Sequence, residues 1–104
     1  MTKYLLLYSA GNMPETDEQK DAVMQAWEAW FAKLGAALVD GGNPFTPSAM
    51  KVSAGGVISQ ATIMASGYSI IEAESLDNAL ELAKGCPVLL DGLEVTVFET
   101  FNVM

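Results

Sequence analysis

GYSIIEAESLDNALELAKGCPVLLDGLEVTVFETF, residues 67–101, holds a strand, a capped helix, a helix stop and a second strand in unbroken succession. Tyr68 to Ala73 alternates as a strand, with Tyr68 and Ile70 on one face and Ser69, Ile71 and Ala73 on the other. Ser75 has the side chain of an N-cap, Asp77 suits the positive first turn, and Leu76, Ala79, Leu80 and Ala83 share one helical side. Lys84 complements the C-terminal end, Gly85 suits a left-handed C′ position, and Pro87 prevents continuation. From Leu93 to Phe101 a closing strand sets Leu93, Val95 and Val97 opposite Glu94, Thr96 and Phe98.

Upstream, Lys3 to Ser9 is rich in Leu and Tyr and ends in the breaker pair Gly11–Asn12, which predicts a strand. Leu5 and Leu7 fall on one face, Tyr4, Leu6 and Tyr8 on the other, so the sheet is expected to be covered on both sides. After Pro14, acidic residues suit a helix start with Thr16 or Asp17 as N-cap. Val23, Trp27, Trp30, Phe31 and Leu34 then recur at spacings of three and four up to Gly35, giving a helix of about five turns with an aromatic core face. Ala36 to Asp40 is a short apolar segment before the turn cluster Gly41–Gly42–Asn43–Pro44. Met50, Val52 and Ala54 alternate with Lys51 and Ser53, and Val57 to Gln60 returns after Gly55–Gly56, which predicts a hairpin. Ala61 to Ser66 is expected to be an irregular connection.

The order is strand, helix, strand or hairpin, strand, helix, strand: an α+β, ferredoxin-like βαββαβ arrangement with both helices on one face of an antiparallel sheet. At 104 residues the chain makes one domain, residues 1–104. The uncovered sheet face is expected to carry Leu6, Tyr8, Ile71 or Ile70, and Phe98 or Val97, depending on register. A two-fold partner presenting the same face would cover it, so a homodimer is expected.

Composition narrows the partners. Thirteen Asp and Glu against five Lys and Arg give a net charge of −8, which repels nucleic acid and anionic membranes. No apolar run approaches the roughly 20 residues of a membrane span, and Tyr4 to Ala10 is too short for a signal sequence, so a cytoplasmic setting is expected. Lone Cys86 has no disulfide partner and reads as a small buried apolar side chain.

KYLLLY at 3–8, AWFAKLGAALVDGGNPF at 29–45 and GYSIIEAESLDNALELAKGCPVL at 67–89 together resemble the YCII-related (DGPF-domain) family. Members are similar to the dimeric α/β-barrel superfamily, so the resemblance implies two ferredoxin-like protomers packed sheet to sheet around a cleft. One branch of the family has a proposed His and Asp acid/base pair, and this chain has no histidine. The name-giving Asp-Gly-Pro-Phe motif is replaced by the region of Ser59 to Thr62.

No catalytic residue is therefore assigned, and neither a cofactor nor a metal is expected. Asp17, Glu18 and Asp21 complement a helix dipole rather than spell a calcium loop. Lys51 reads as a solvated strand lysine. Candidate ligand contacts in the inter-sheet cleft are Tyr8 at the end of the first strand, Asp40 and Asn43 at the Gly-Gly-Asn-Pro turn, and Ser59 beyond the hairpin turn. The first functional reading is a non-catalytic small-molecule-binding or accessory module. The alternative is a cofactor-independent enzyme acting on a small aromatic or dicarbonyl compound, with Asp40 or Tyr8 moving the proton.

Overall fold

The computed structural model describes residues 1–9 and 16–103; the breaker pair Gly11–Asn12 and the Pro14–Glu15 approach to the first helix lie outside them. In chain order the elements are β1 (Thr2–Ser9), α1 (Asp17–Leu34), β2 (Leu38–Asp40), β3 (Met50–Ser53), β4 (Val57–Gln60), β5 (Ala65–Ala73), α2 (Leu76–Ala83) and β6 (Val95–Glu99). Four of the strands form one antiparallel sheet in the order β2-β5-β1-β6, and β3 pairs with β4 as a separate ribbon. This is the expected α+β, ferredoxin-like fold, with the ribbon inserted between its second and third sheet strands.

Register decides which side of the sheet the helices cover. Tyr4 stands opposite Ile71, Leu6 opposite Ser69 and Val97, and Tyr8 opposite Gly67 and Val95. Tyr4, Leu6, Tyr8 and Ile71 are buried in one core with Trp30 and Leu34 of α1 and Ala79 and Ala83 of α2. Leu6, Tyr8, Ile71 and Val97 thus lie under the helices, and the uncovered face carries Leu5, Leu7, Ile70 and Phe98. The expectation that Leu6 and Tyr8 lie on the uncovered face is corrected: pairing with β5 and β6 sets them on the side that the helices cover, and Leu5 and Leu7 face outward with Ile70 and Phe98.

Both helices start on side-chain caps. Thr16 is the N-cap of α1 and forms a capping box: its hydroxyl accepts from the Gln19 N–H at 3.1 Å, and the Gln19 side-chain oxygen accepts from the Thr16 N–H. Ser75 caps α2 by accepting from the Asn78 N–H at 3.1 Å. On α2 the small Ala79 and Ala83 face the sheet, while Leu76 and Leu80 stay largely exposed. Small side chains let this short helix sit close against β1 and β5.

Three further expectations need correction. Gly85 does not adopt a left-handed conformation; a Cβ there would come within 3.1 Å of the Trp30 indole, so glycine serves close packing rather than chain reversal. The irregular connection ends earlier than expected, because Ala65 already pairs with Ser9, with Ser66 as the extra residue of a bulge in β5. The last strand spans only Val95–Glu99, since Tyr4 to Tyr8 of β1 is all it pairs with.

No helix among the described residues is long and apolar enough to cross a membrane. The molecule measures 44 × 41 × 18 Å, a flat shape for its mass.

Candidate functional site: a cavity beneath the first helix

α1 carries a wider apolar stripe than a core face requires. Trp30 and Leu34 are buried, whereas Trp27 and Phe31 are half-buried at the stripe's edge. The Trp30 indole N–H donates to the Leu82 carbonyl at 3.1 Å, which fixes α1 over the end of α2. Trp27 meets Tyr8 edge-on, with ring centroids 5.3 Å apart, and lies 5.5 Å from Phe31. Beside this aromatic edge the helix lifts from the sheet and leaves a cavity of about 470 Å³. Its walls include Tyr8, Met24, Trp27, Phe31 and Val88, and its polar groups come from Glu28, Asn43 and Ser66.

The opposite wall is the chain from Gly41 to Pro44, held by several independent contacts. The Asp40 carboxylate accepts from the Gly42 N–H at 2.8 Å, an Asx-type turn that fixes the chain's exit from β2. Pro44 bridges to Gly67, and the Phe45 N–H donates to the Ser66 carbonyl at 2.8 Å. The Phe45 and Tyr68 rings stack with centroids 5.9 Å apart. Gly67 makes the crossing feasible: a Cβ there would sit 3.1 Å from the Asn43 carbonyl oxygen and 3.3 Å from the Pro44 Cα.

At the cavity floor runs a buried polar chain. The Tyr8 hydroxyl donates to Ser69 Oγ at 2.6 Å, and Ser69 in turn donates to the Gly41 carbonyl at 2.8 Å. Ser69 is fully buried on a strand face otherwise given to the core, and both its hydrogen-bonding roles are filled. The chain couples the strand that carries Tyr8 to the loop that carries Asn43.

Tyr8 and Cys86 are both held neutral. Burial pushes the Tyr8 phenol well above the usual tyrosine range; the Ser69 hydrogen bond opposes that shift, and the neighbouring Cys86 adds to it. Burial likewise raises the Cys86 thiol to about 11, against smaller lowering effects from the Val88 backbone and the Tyr8 hydroxyl. The Tyr8 hydroxyl is thus a proton-bearing group at neutral pH, and the thiol is a poor nucleophile.

These shifts have a stability consequence of definite sign. As pH rises past about 9 the unfolded chain loses the thiol proton first, while the folded chain keeps it until about 11. Stability is then expected to be flat through neutral pH and to fall above pH 9, by about 1 kcal/mol from this group at pH 10. Urea denaturation at pH 7, 8, 9 and 10 tests this, and Cys86→Ala should show the shallower decline between pH 9 and 10. Parallel profiles for the two proteins would contradict it.

The sequence-derived candidates separate in space. Tyr8 and Asn43 both line the cavity. Asp40 is exposed, with its carboxylate turned to the Gly42 amide. Ser59 lies on the ribbon opposite Lys51, away from the cavity lining. The cavity itself lies within the single chain, between α1 and the sheet, on the side opposite Leu5, Leu7, Ile70 and Phe98. Trp27, Phe31, Met24 and Glu28 are lining residues that the helical period assigned to core or solvent. Their i, i+3, i+4, i+7 spacing from Met24 was the available signal, set beside the Trp30–Leu34 stripe. Among the described residues no group of His, Cys, Asp or Glu is arranged to hold a metal ion.

No protein-family model matches the chain, and no curated protein matches it. Among solved structures it is similar to 5-chloro-2-hydroxyhydroquinone dehydrochlorinase from Burkholderia phenoliruptrix, determined in complex with 2,5-dihydroxybenzoquinone. The TM-score is 0.58 at 20% sequence identity, over 96% of this chain and 93% of that one. The likeness is one of fold alone, that of an α+β, ferredoxin-like chain.

Proposed function

We propose that this chain is a homodimeric, YCII-related cytoplasmic protein that binds a small ring compound in the cavity beneath α1. The observation that carries this reading is the cavity itself, about 470 Å³ with aromatic and aliphatic walls and few polar groups. Trp27 and Phe31 offer flat apolar surface to a ring, while the Tyr8 hydroxyl, the Asn43 side chain and Glu28 are the groups available to its substituents. A neutral ring with hydroxyl or carbonyl groups fits better than a multiply charged anion, since the only ionised side chain in the lining is acidic. The homodimer is supported by the uncovered apolar sheet face with Leu5, Leu7, Ile70 and Phe98.

One observation favours a second reading, turnover of the bound ring without a cofactor: the similar solved structure is an enzyme that holds a dihydroxybenzoquinone. In that case the Tyr8 hydroxyl, whose own proton is given to Ser69 in a hydrogen bond, would orient the ring by accepting a hydrogen bond from one of its hydroxyls. The base would be Glu28, the carboxylate in the lining, rather than Asp40, whose oxygen is engaged with the Gly42 amide.

Titration with hydroquinone and catechol, followed by NMR of the two indole N–H signals, tests binding. The Trp27 signal should move on saturation and the Trp30 signal, bonded to Leu82, should barely respond. Met24→Phe, at a largely exposed position on the cavity wall, should weaken binding by about tenfold or more by filling the space. Equal movement of both indoles, or an unchanged affinity in Met24→Phe, would place the ligand elsewhere.

A further inference from the structure

The β3–β4 ribbon has the pattern of a half-buried element, yet among the described residues its apolar side chains stay exposed. Met50 pairs with Gln60 and Val52 with Ile58, so these four side chains share one face. Lys51, Ser59, Ser53 and Val57 share the other. Such apolar/polar alternation belongs to strands with one face packed and one in water. Here the apolar face is open: Val52 is 70% exposed and Ile58 66%, with Met50 also largely exposed. Ile63 and Met64, in the connection to β5, are exposed as well. An isolated two-stranded hairpin is marginal in water, and this one pairs only with itself.

Charge points the same way. From Gly41 to Ile71 the only ionisable acid or base charge is Lys51; all thirteen acidic residues and the other four basic ones lie outside that stretch. Depletion of charge marks the centre of a protein interface rather than a solvated arm.

We infer that the ribbon is an inter-subunit arm: in the dimer, its Met50–Val52–Ile58 face packs on the uncovered sheet face of a second copy, around Leu5, Leu7, Ile70 and Phe98. This rests on the dimer proposed above and adds what each copy contributes to it. Two-fold symmetry satisfies both unmatched surfaces at once, because each copy offers one arm and receives one. Area supports the pairing. At roughly 100 Å² of apolar surface per fully exposed side chain of this size, Met50, Val52, Ile58, Ile63 and Met64 present about 300 Å². The sheet face, where Phe98 is 47% exposed and its neighbours half-buried, adds about 100 Å². Across both copies the two surfaces sum to about 800 Å² of apolar area, and because apolar atoms supply only somewhat over half of an interface, the total then exceeds the roughly 1,000 Å² of a stable one.

The test mixes full-length Val52→Cys and Phe98→Cys chains and treats them with a short bismaleimide at pH 7. Cys86 stays in place because it is buried and protonated. Each chain then has one accessible thiol, so a product linking residue 52 to residue 98 joins two copies. That product, identified by peptide mass, is the expected result. In parallel, Ile58→Glu should weaken the dimer at least 100-fold by sedimentation equilibrium while leaving the thermal midpoint of the protomer unchanged. Links only between two residues 52 would mean that arms pair with each other and would overturn the inference. A dimer whose affinity ignores Ile58→Glu, and which gives no 52–98 link, overturns the arm and leaves the dimer standing. A monomer at micromolar concentration overturns both. Flotation of the wild type with phosphatidylcholine vesicles, abolished by Ile58→Glu, would assign the ribbon to a lipid surface and likewise overturn it.

Discussion

Gly42→Ala is expected to destabilise the protein by about 3 kcal/mol or more and to abolish ligand binding in the cavity beneath α1. Gly42 has φ of 73°, where an alanine is strained by roughly 1–2 kcal/mol. Space adds the larger part of the cost: a Cβ would overlap the Tyr68 carbonyl oxygen and lie 2.6 Å from its carbon. Both are backbone atoms of β5, so no side-chain rotation relieves the contact. The loop must move away from the strand, giving up the Pro44–Gly67 bridge and the Phe45–Ser66 hydrogen bond that form the cavity wall. Gly55→Ala is the matched control, because Gly55 has φ of 85° with nothing within 4 Å of the added Cβ. Urea denaturation should give Gly55→Ala a loss of about 1 kcal/mol, the conformational part alone. Equal losses in the two variants would mean that the loop is not packed on β5 as described.

Trp30→Ala is expected to cost about 3–5 kcal/mol, a large share of a small domain's total stability. Trp30 is 5% exposed, contacts Trp27 and Phe31, and donates its indole N–H to Leu82. Its removal empties the junction between α1 and α2 and leaves the Leu82 carbonyl without that donor. Trp30→Phe keeps most of the buried ring and should recover more than half of the loss. Thermal denaturation of the pair checks this. If Trp27→Ala, at the half-buried edge, proved more damaging than Trp30→Ala, the division of α1 into a core stripe and a cavity edge would be wrong.

The legible part of the chain was the part where local chemistry and global packing agree. Ser75, the Ala79–Ala83 face and Pro87 marked α2, and Thr16 or Asp17 among acidic residues marked the start of α1, because caps and periodicity act within a few residues of themselves. The faces of β1 were legible as alternation, yet their assignment was not: both sets are apolar, and only pairing with β5 and β6 turns Tyr4, Leu6 and Tyr8 inward. Gly85 looked like a chain-reversing glycine from its place after Lys84, whereas its lack of a Cβ serves an indole about fifty residues away in sequence.

The candidate site was legible only in fragments. Tyr8 and Asn43 stood out as polar groups at the ends of apolar segments, and both line the cavity. Trp27 and Phe31 did not, because a helical period cannot distinguish the centre of an apolar stripe from an edge that faces a void. Ser69 was equally silent, since a serine on a strand gives no sign that it will be fully buried between Tyr8 and Gly41. Asp40 and Ser59 drew attention by residue type, and their neighbours give them other surroundings: a turn amide for Asp40, the exposed ribbon for Ser59.

A crystal structure of the protein soaked with 2,5-dihydroxybenzoquinone would decide whether the cavity beneath α1 is a binding site. The ring should lie against Trp27 and Phe31, with one of its oxygens within hydrogen-bond distance of the Tyr8 hydroxyl or the Asn43 side chain. A ring found between the outer sheet faces of two copies, or a cavity closed by Met24 and Phe31 with no ligand in it, would contradict the proposed function.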